Sequence, residues 1–190
     1  MKPSLSLIAA AAFALLGIVA TASAQTPSPD EAAKSRKGYA ISPVPLNLTG
    51  KNPFLVGLGS YIVNSQGACT DCHTSPPYAD GGDPFLGQPT VHNVAGFLAG
   101  GTPFGPFISR NLTPNASGLP AGLTLDQFMF VLNTGADLKG QPPFVPSQEN
   151  DLLQVMPWPV HRNMTRRDQR AIYEYLRAIP CVGSAERCGN

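Results

Sequence analysis

The sequence predicts an all-α fold in which short helices are joined by long, ordered loops. Three segments carry the N-cap residues and the apolar stripe that are typical of helices in globular proteins. The 190-residue chain is 43% hydrophobic, as folded proteins are, but it contains 19 Gly and 20 Pro, which interrupt helices and strands. We therefore expect one folded domain with brief helices.

Residues 1–24 are predicted to be a cleavable export signal. Lys2 supplies a positive start, Leu5 to Ala20 is almost uniformly apolar, and Ala22-Ser23-Ala24 matches an A-x-A cleavage site. A membrane anchor is the alternative, but the apolar run is short and the cleavage site follows it at once. Basic residues exceed acidic ones by 13 − 12 = +1, which excludes a nucleic-acid binder that relies on bulk positive charge. We expect an exported protein with no transmembrane span after cleavage.

Residues 25–50 are predicted to form an extended N-terminal arm, because they contain four prolines and a polar cluster. The folded domain is expected over residues 51–190. Its first helix is predicted from Pro53 to about Ser65, with Asn52 as the N-cap and Gly67 just past the end. Two glycines within this helix would let another helix approach closely; they are Gly57 and Gly59.

Two later helices are predicted by their capping boxes. Thr124 and Gln127 begin a helix over about 125–133, which ends at Gly135. Thr165 and Asp168 begin the last helix, which runs to Pro180. Its charged face consists of Arg166, Arg170, Glu174 and Arg177. We expect this face to be solvated, with docking of a partner as the alternative.

Residues 84–125 form a long loop region with 13 Gly or Pro residues and a single charged residue, Arg110. A disordered linker is normally polar and charged, whereas this stretch is rich in Phe and Leu. We expect it to be ordered and to pack against something apolar.

The chemistry concentrates in Cys69-Thr70-Asp71-Cys72-His73, which is a C-x-x-C-H motif. Two thiols at this spacing can add to the two vinyl groups on one edge of a porphyrin, and His73 can then ligate the iron. A thioredoxin-like dithiol is one alternative, but no strand rich in Val and Ile precedes the motif. A zinc site is another, but the remaining cysteines do not form a second short knuckle. The motif predicts one covalently bound haem c.

The remaining two cysteines, Cys181 and Cys188, lie just beyond the last helix. In an exported protein we expect them to form a disulfide that closes this C-terminal loop, with free thiols or an intermolecular bridge as the alternatives.

Several further segments resemble the class I cytochrome c family. These segments are Gly59-Ser60-Tyr61, Gly100 to Gly105, Asn111-Leu112-Thr113-Pro114, Met156-Pro157-Trp158-Pro159 and Ala171 to Leu176. With the C-x-x-C-H motif, the resemblance extends from about Gly57 to Val182, which is about two thirds of the chain. The resemblance is narrower to exported cytochrome subunits that accept electrons from periplasmic dehydrogenases, although many of those carry several haem motifs and this chain has one. It implies a cytochrome c-like helical domain around one haem, located in the periplasm. The partners it implies are a dehydrogenase and a downstream electron acceptor.

The distal iron ligand is predicted to be Met156. Met129 lies within a helix and Met164 directly precedes a helix cap, so both are interpreted as packing residues. Met156 precedes Pro157 and Pro159, on a segment that we expect to be extended rather than helical. Bis-histidine ligation remains an alternative; it would use His92 or His161.

Two residues are predicted to donate hydrogen bonds to the haem propionates, Arg110 and Trp158. The first is the lone charge of its long apolar stretch, and the second lies beside the predicted ligand Met156. The alternative is a solvated arginine and a packed tryptophan.

The sequence thus predicts an electron carrier rather than an enzyme. The alternative function is a haem protein with an open iron site, which would act as a peroxidase or a gas sensor. The identity of the sixth ligand separates the two, because a firmly bound Met favours electron transfer.

Overall fold

A computed structural model describes residues 26–138 and 152–189. The predicted export signal, residues 1–24, lies outside the described residues. Seven α-helices, one π-helical turn, one 3-10 turn and two short strands are present in the described part; they are α1 (Pro29–Ile41), α2 (Pro53–Tyr61), the π-turn (Ile62–Gln66), α3 (Cys69–His73), the 3-10 turn (Pro84–Leu86), β1 (Pro103–Phe104), β2 (Phe107–Ile108), α4 (Leu125–Thr134), α5 (Trp158–His161), α6 (Arg166–Ala178) and α7 (Ala185–Cys188). Within these ranges, no helix is long and apolar enough to cross a membrane.

The expectation of an extended arm over residues 25–50 is wrong for α1, which is a 13-residue helix. Ser28 caps it: its hydroxyl accepts a hydrogen bond from the Glu31 N–H (3.2 Å), and the Glu31 carboxylate accepts one from the Ser28 N–H (2.8 Å). Pro29 occupies the first helical position, where no intrahelical N–H is required. The prolines therefore flank or begin this helix instead of preventing it.

Helix α2 begins as predicted, with the Asn52 side chain accepting a hydrogen bond from the Leu55 N–H (3.2 Å). The helical path continues to Gln66, but its last five residues form a π-turn. The predicted close helix approaches are confirmed. A Cβ atom on Gly59 would lie 1.9 Å from the Ala171 carbonyl oxygen of α6, and a Cβ on Gly38 of α1 would lie 1.9 Å from the Gly57 carbonyl oxygen. Helix α2 is therefore packed tightly between α1 and α6.

Helices α4 and α6 have the predicted capping boxes. Gly135 ends α4 in the left-handed conformation, with φ 73°. One part of the prediction for α6 is wrong: Glu174 is only 8% exposed, whereas Arg166 and Arg170 are exposed as expected. The glutamate is paired within the helix, because Arg177 lies 3.3 Å from its carboxylate.

The loop region over 84–125 packs only in part against the core. Phe97 and Leu98 are buried in the main apolar cluster with residues of α2 and α6. Phe85, in contrast, is 86% exposed, and Ile108 on β2 is also exposed. Strands β1 and β2 form an antiparallel hairpin that the sequence did not predict.

Cys181 and Cys188 form the predicted disulfide. Helix α7 lies inside the closed loop and carries Arg187, whose guanidinium donates to the Thr113 carbonyl oxygen (2.7 Å) and the Asn111 side-chain oxygen (3.3 Å). The disulfide loop thereby fastens the C-terminus to the loop that follows Arg110.

Candidate functional site

The C-x-x-C-H motif is the short helix α3, which follows the π-turn directly. Ala68 at its N-cap has a left-handed backbone conformation (φ 47°), which turns the chain between the two helices. Cys69 and Cys72 are three residues apart on this helix and therefore lie on the same face. Both cysteines are free thiols in the structure. Two thiols on one face fit attachment to two points on one edge of a flat ring.

Both thiols are held in the neutral form. Burial raises the pKa of Cys69 to about 12. The pKa of Cys72 is also raised, first by burial and then by the negative charge of Asp71. A dithiol that exchanges disulfides needs a lowered thiol pKa, so the surroundings of α3 do not favour the thioredoxin-like alternative.

His73 is oriented by a backbone carbonyl. Its Nδ1 lies 2.7 Å from the carbonyl oxygen of Arg110. A carbonyl can only accept, so Nδ1 carries the proton and donates, which leaves Nε2 with a free lone pair. Burial lowers the pKa of His73 and keeps the ring neutral; the hydrogen bond to Arg110 opposes this shift and the nearby His161 adds to it. A neutral imidazole with its second nitrogen fixed by an acceptor is the usual form of a metal-ligating histidine.

The loop around Gly100 contacts the backbones of both His73 and Arg110. The Gly100 N–H donates to the His73 carbonyl oxygen (2.7 Å). A Cβ on Gly100 would lie only 2.5 Å from the carbonyl carbon of Arg110, so this close approach requires glycine. The backbones of His73, Gly100 and Arg110 are consequently packed against one another.

The Arg110 side chain points to the end of α4. Its guanidinium forms an ion pair with Asp137 and donates to the Leu138 carbonyl oxygen (3.0 Å). Sequence reasoning selected Arg110 for a role toward propionates and missed both Asp137 and the carbonyl contact. A signal for Asp137 existed: it is the only acidic residue between Asp126 and Glu149. The propionate contact of Arg110 stays a prediction.

Trp158 is the first residue of α5 and packs against Gly135. A Cβ on Gly135 would lie 2.3 Å from the Trp158 ring. The ring also faces the Arg162 guanidinium, which lies 6.0 Å from the ring centre. The expectation of a non-helical Met-Pro-Trp-Pro segment is wrong from Trp158 onward. Pro159 is accommodated because it lies in the first turn of α5, where its missing N–H has no intrahelical partner to lose. The propionate contact of Trp158 also stays a prediction.

The candidate distal ligands differ in their surroundings. Met156 is partly buried against the apolar core, and its carbonyl oxygen accepts a hydrogen bond from the Trp158 N–H (2.8 Å). Met164 is partly buried against the same core, and Met129 is buried within α4. His161 in α5 is half-buried and acts electrostatically on His73, whereas His92 stacks on Tyr78 at 5.8 Å. Met156 and Met164 are thus partly buried methionines beside the core, and His161 is the histidine close enough to His73 to affect its pKa.

Across residues 26–138 and 152–189, no group of three or more His, Cys, Asp and Glu side chains is arranged to hold a metal ion. A haem iron is held mainly by the porphyrin and needs only one or two protein ligands, so haem binding does not require such a cluster. The free thiols, the oriented His73 and the partly buried Met156 fit the needs of a covalently attached haem.

Comparison with curated proteins shows similarity to a cytochrome subunit. The chain is 28% identical over 137 residues to the gluconate 2-dehydrogenase cytochrome c subunit of Pantoea cypripedii. The relative is a cytochrome. The match covers 72% of this chain but only 26% of the relative, so the chain spans about a quarter of that protein's length. No family model matches the chain. No solved structure matches it.

Proposed function

We propose that this chain is an exported c-type cytochrome that carries one electron on one covalently attached haem. The observation that carries the proposal is the C-x-x-C-H helix together with its oriented histidine, whose Nδ1 donates to the Arg110 carbonyl oxygen at 2.7 Å. The similarity to a dehydrogenase cytochrome c subunit also supports it. The proposed fold is a cytochrome c-like, all-α domain.

Each site residue has a proposed task. Cys69 and Cys72 would form the two thioether bonds that fix the haem to α3, and Nε2 of His73 would bind the iron. Met156 would supply a neutral thioether as the second protein ligand, which would favour the reduced state and raise the reduction potential. Arg110 and Trp158 would donate hydrogen bonds to the propionates. The haem itself supplies reversible one-electron chemistry.

The protein's contribution is then positional and electrostatic. Partial burial of the ligand side chains limits their contact with water, and the carbonyl of Arg110 holds the His73 ring in one orientation. No substrate bond is made or broken, so the chain acts as an electron carrier rather than an enzyme.

The proposed partners are a periplasmic dehydrogenase as the electron donor and a downstream protein as the acceptor. The name of the relative, a cytochrome subunit of a dehydrogenase, supports this choice. The predicted export signal over residues 1–24 supports the periplasm as the location.

A redox titration with matched methionine variants tests the function. The matured wild-type protein should titrate with one electron per chain, show the weak sulfur-to-iron charge-transfer band when oxidised, and bind carbon monoxide poorly when reduced. Met156→Ala should abolish that band and open the iron to carbon monoxide. Met164→Ala is the matched control, because Met164 is also partly buried against the core, and it should retain both wild-type properties. A wild-type protein that already binds carbon monoxide readily would instead support the peroxidase or gas-sensor alternative.

A further inference from the structure

We infer that Asp137 is a positioning residue for His73 and acts through Arg110, an inference that rests on the proposed function. Arg110 makes two contacts of different kinds. Its backbone carbonyl accepts the hydrogen bond from the His73 ring, and its side chain reaches the end of α4, where it meets Asp137 and Leu138. One residue therefore connects the proposed ligand to an acidic side chain 27 positions later in the chain.

Hydrogen bonds hold the backbone at the C-terminal end of α4, just before Asp137. Gly135 ends the helix, the Ala136 N–H donates to the Thr134 hydroxyl (3.2 Å), and the Leu153 N–H donates to the Gly135 carbonyl oxygen (2.8 Å). The backbone that leads to Asp137 is thus held by a helix cap and by a neighbouring segment. The Asp137 side chain is 20% exposed, so its ion pair with Arg110 is partly shielded from water.

The Arg110 side chain is 43% exposed and has two anchors at the α4 end, the Asp137 carboxylate and the Leu138 carbonyl oxygen. Asp137 is the charged one of these, and an ion pair that is partly shielded from water is screened less than a fully exposed one. Without the carboxylate, the only anchor of the guanidinium at the α4 end is the neutral Leu138 carbonyl oxygen. The peptide group of Arg110 then has more freedom, and the hydrogen bond to His73 Nδ1 opens more often.

The consequence can be measured on His73 directly. Opening of the Nδ1–H to O=C bond exposes that proton to water, so its exchange rate reports how often the bond opens. The same hydrogen bond increases the electron donation of the imidazole ring, which stabilises the oxidised state. Weakening it should raise the reduction potential.

The test uses the matured, haem-loaded protein in its reduced, diamagnetic state, with the exchange of the His73 Nδ1 proton followed by nitrogen-15 NMR. Asp137→Asn should exchange this proton about tenfold faster than wild type, a factor that corresponds to about 1.4 kcal/mol. Asp137→Glu, which keeps the carboxylate, should restore the rate to within about threefold. Asp30→Asn is the matched control, because it breaks the exposed ion pair to Lys34 (2.7 Å) far from this contact and should leave the rate unchanged.

Each outcome decides the inference. Equal exchange rates in wild type and Asp137→Asn would overturn it, and so would a similar acceleration in Asp30→Asn. A rise in potential without faster exchange would also overturn it, since loss of a nearby negative charge alone raises the potential. Failure of the proposed function is distinguishable, because the wild-type protein would then carry no covalent haem before any variant is compared.

Discussion

Substitution of Gly135 by Ala tests how α4 and α5 are joined beside the proposed site. Gly135 has φ 73°, a conformation that costs an L-residue about 1 to 2 kcal/mol. The new Cβ would also lie 2.3 to 2.4 Å from three atoms of the Trp158 ring, so the ring must move by about an ångström. Overpacking of this kind costs about 1 to 3 kcal/mol. The sum predicts a loss of about 2 to 5 kcal/mol in the free energy of unfolding.

Urea unfolding of the matured protein measures this loss, and two further variants separate its causes. Gly118→Ala is the matched control, because Gly118 has φ 72° and no atom within 4 Å of the added Cβ, so only the conformational cost applies. In a Trp158→Ala background, Gly135→Ala should likewise cost only about 1 to 2 kcal/mol. Equal losses for Gly135→Ala and Gly118→Ala, with additive effects of the Gly135 and Trp158 substitutions, would refute this packing.

Three further predictions concern stability, each measured by urea unfolding of the matured protein. Thr165→Ala removes the cap of α6 and should cost about 1 kcal/mol, whereas Thr165→Ser should cost much less; equal losses would contradict the capping role. Tyr173→Phe leaves the Leu123 carbonyl oxygen without its 3.0 Å donor in a buried place and should cost about 1 to 3 kcal/mol; a neutral result would show that the bond is absent. Replacing Cys181 and Cys188 together by Ser should cost about 2 to 3 kcal/mol through loss of a short closed loop, and two alkylatable thiols in the non-reduced wild type would reject the bridge.

The features that the sequence predicted correctly are those encoded within a few residues. The capping boxes at Thr124 and Thr165 need only a hydroxyl and an acceptor three residues later, so both helix starts were predicted. The capping box at Ser28 obeys the same rule, but the four prolines over residues 25–50 favour the prediction of an extended arm. Proline prevents a helix in its interior and not at its first position, which is why α1 and α5 were missed.

The π-turn after α2 is joined to α6 by a long-range hydrogen bond that no local pattern contains. The Asn64 amide donates to the Ser60 carbonyl oxygen (2.9 Å) and to the Tyr175 hydroxyl (3.1 Å), which is 111 positions away. The Tyr175 hydroxyl in turn lies 3.2 Å from the Ser42 hydroxyl. The side chains of Asn64, Tyr175 and Ser42 come together only where the π-turn, α6 and the C-terminal end of α1 pack against one another.

The candidate site also combines features that neighbouring residues encode with contacts between residues that are distant in sequence. Cys69, Cys72 and His73 are adjacent, so their spacing alone predicted a haem motif. The carbonyl that orients His73 lies 37 positions later, and the acid that anchors Arg110 lies 27 positions beyond that. A backbone acceptor has no residue-type signal, because every residue carries a carbonyl. Only the fold identifies which carbonyl orients His73.

The most direct test of the central claim is whether haem is covalently attached at α3. Correctly matured protein should keep its colour through denaturation and acid-acetone extraction, give a haem c pyridine haemochrome spectrum, and yield one modified peptide that contains Cys69 and Cys72. Haem that extracts cleanly, or a peptide with both thiols unmodified, would contradict the account.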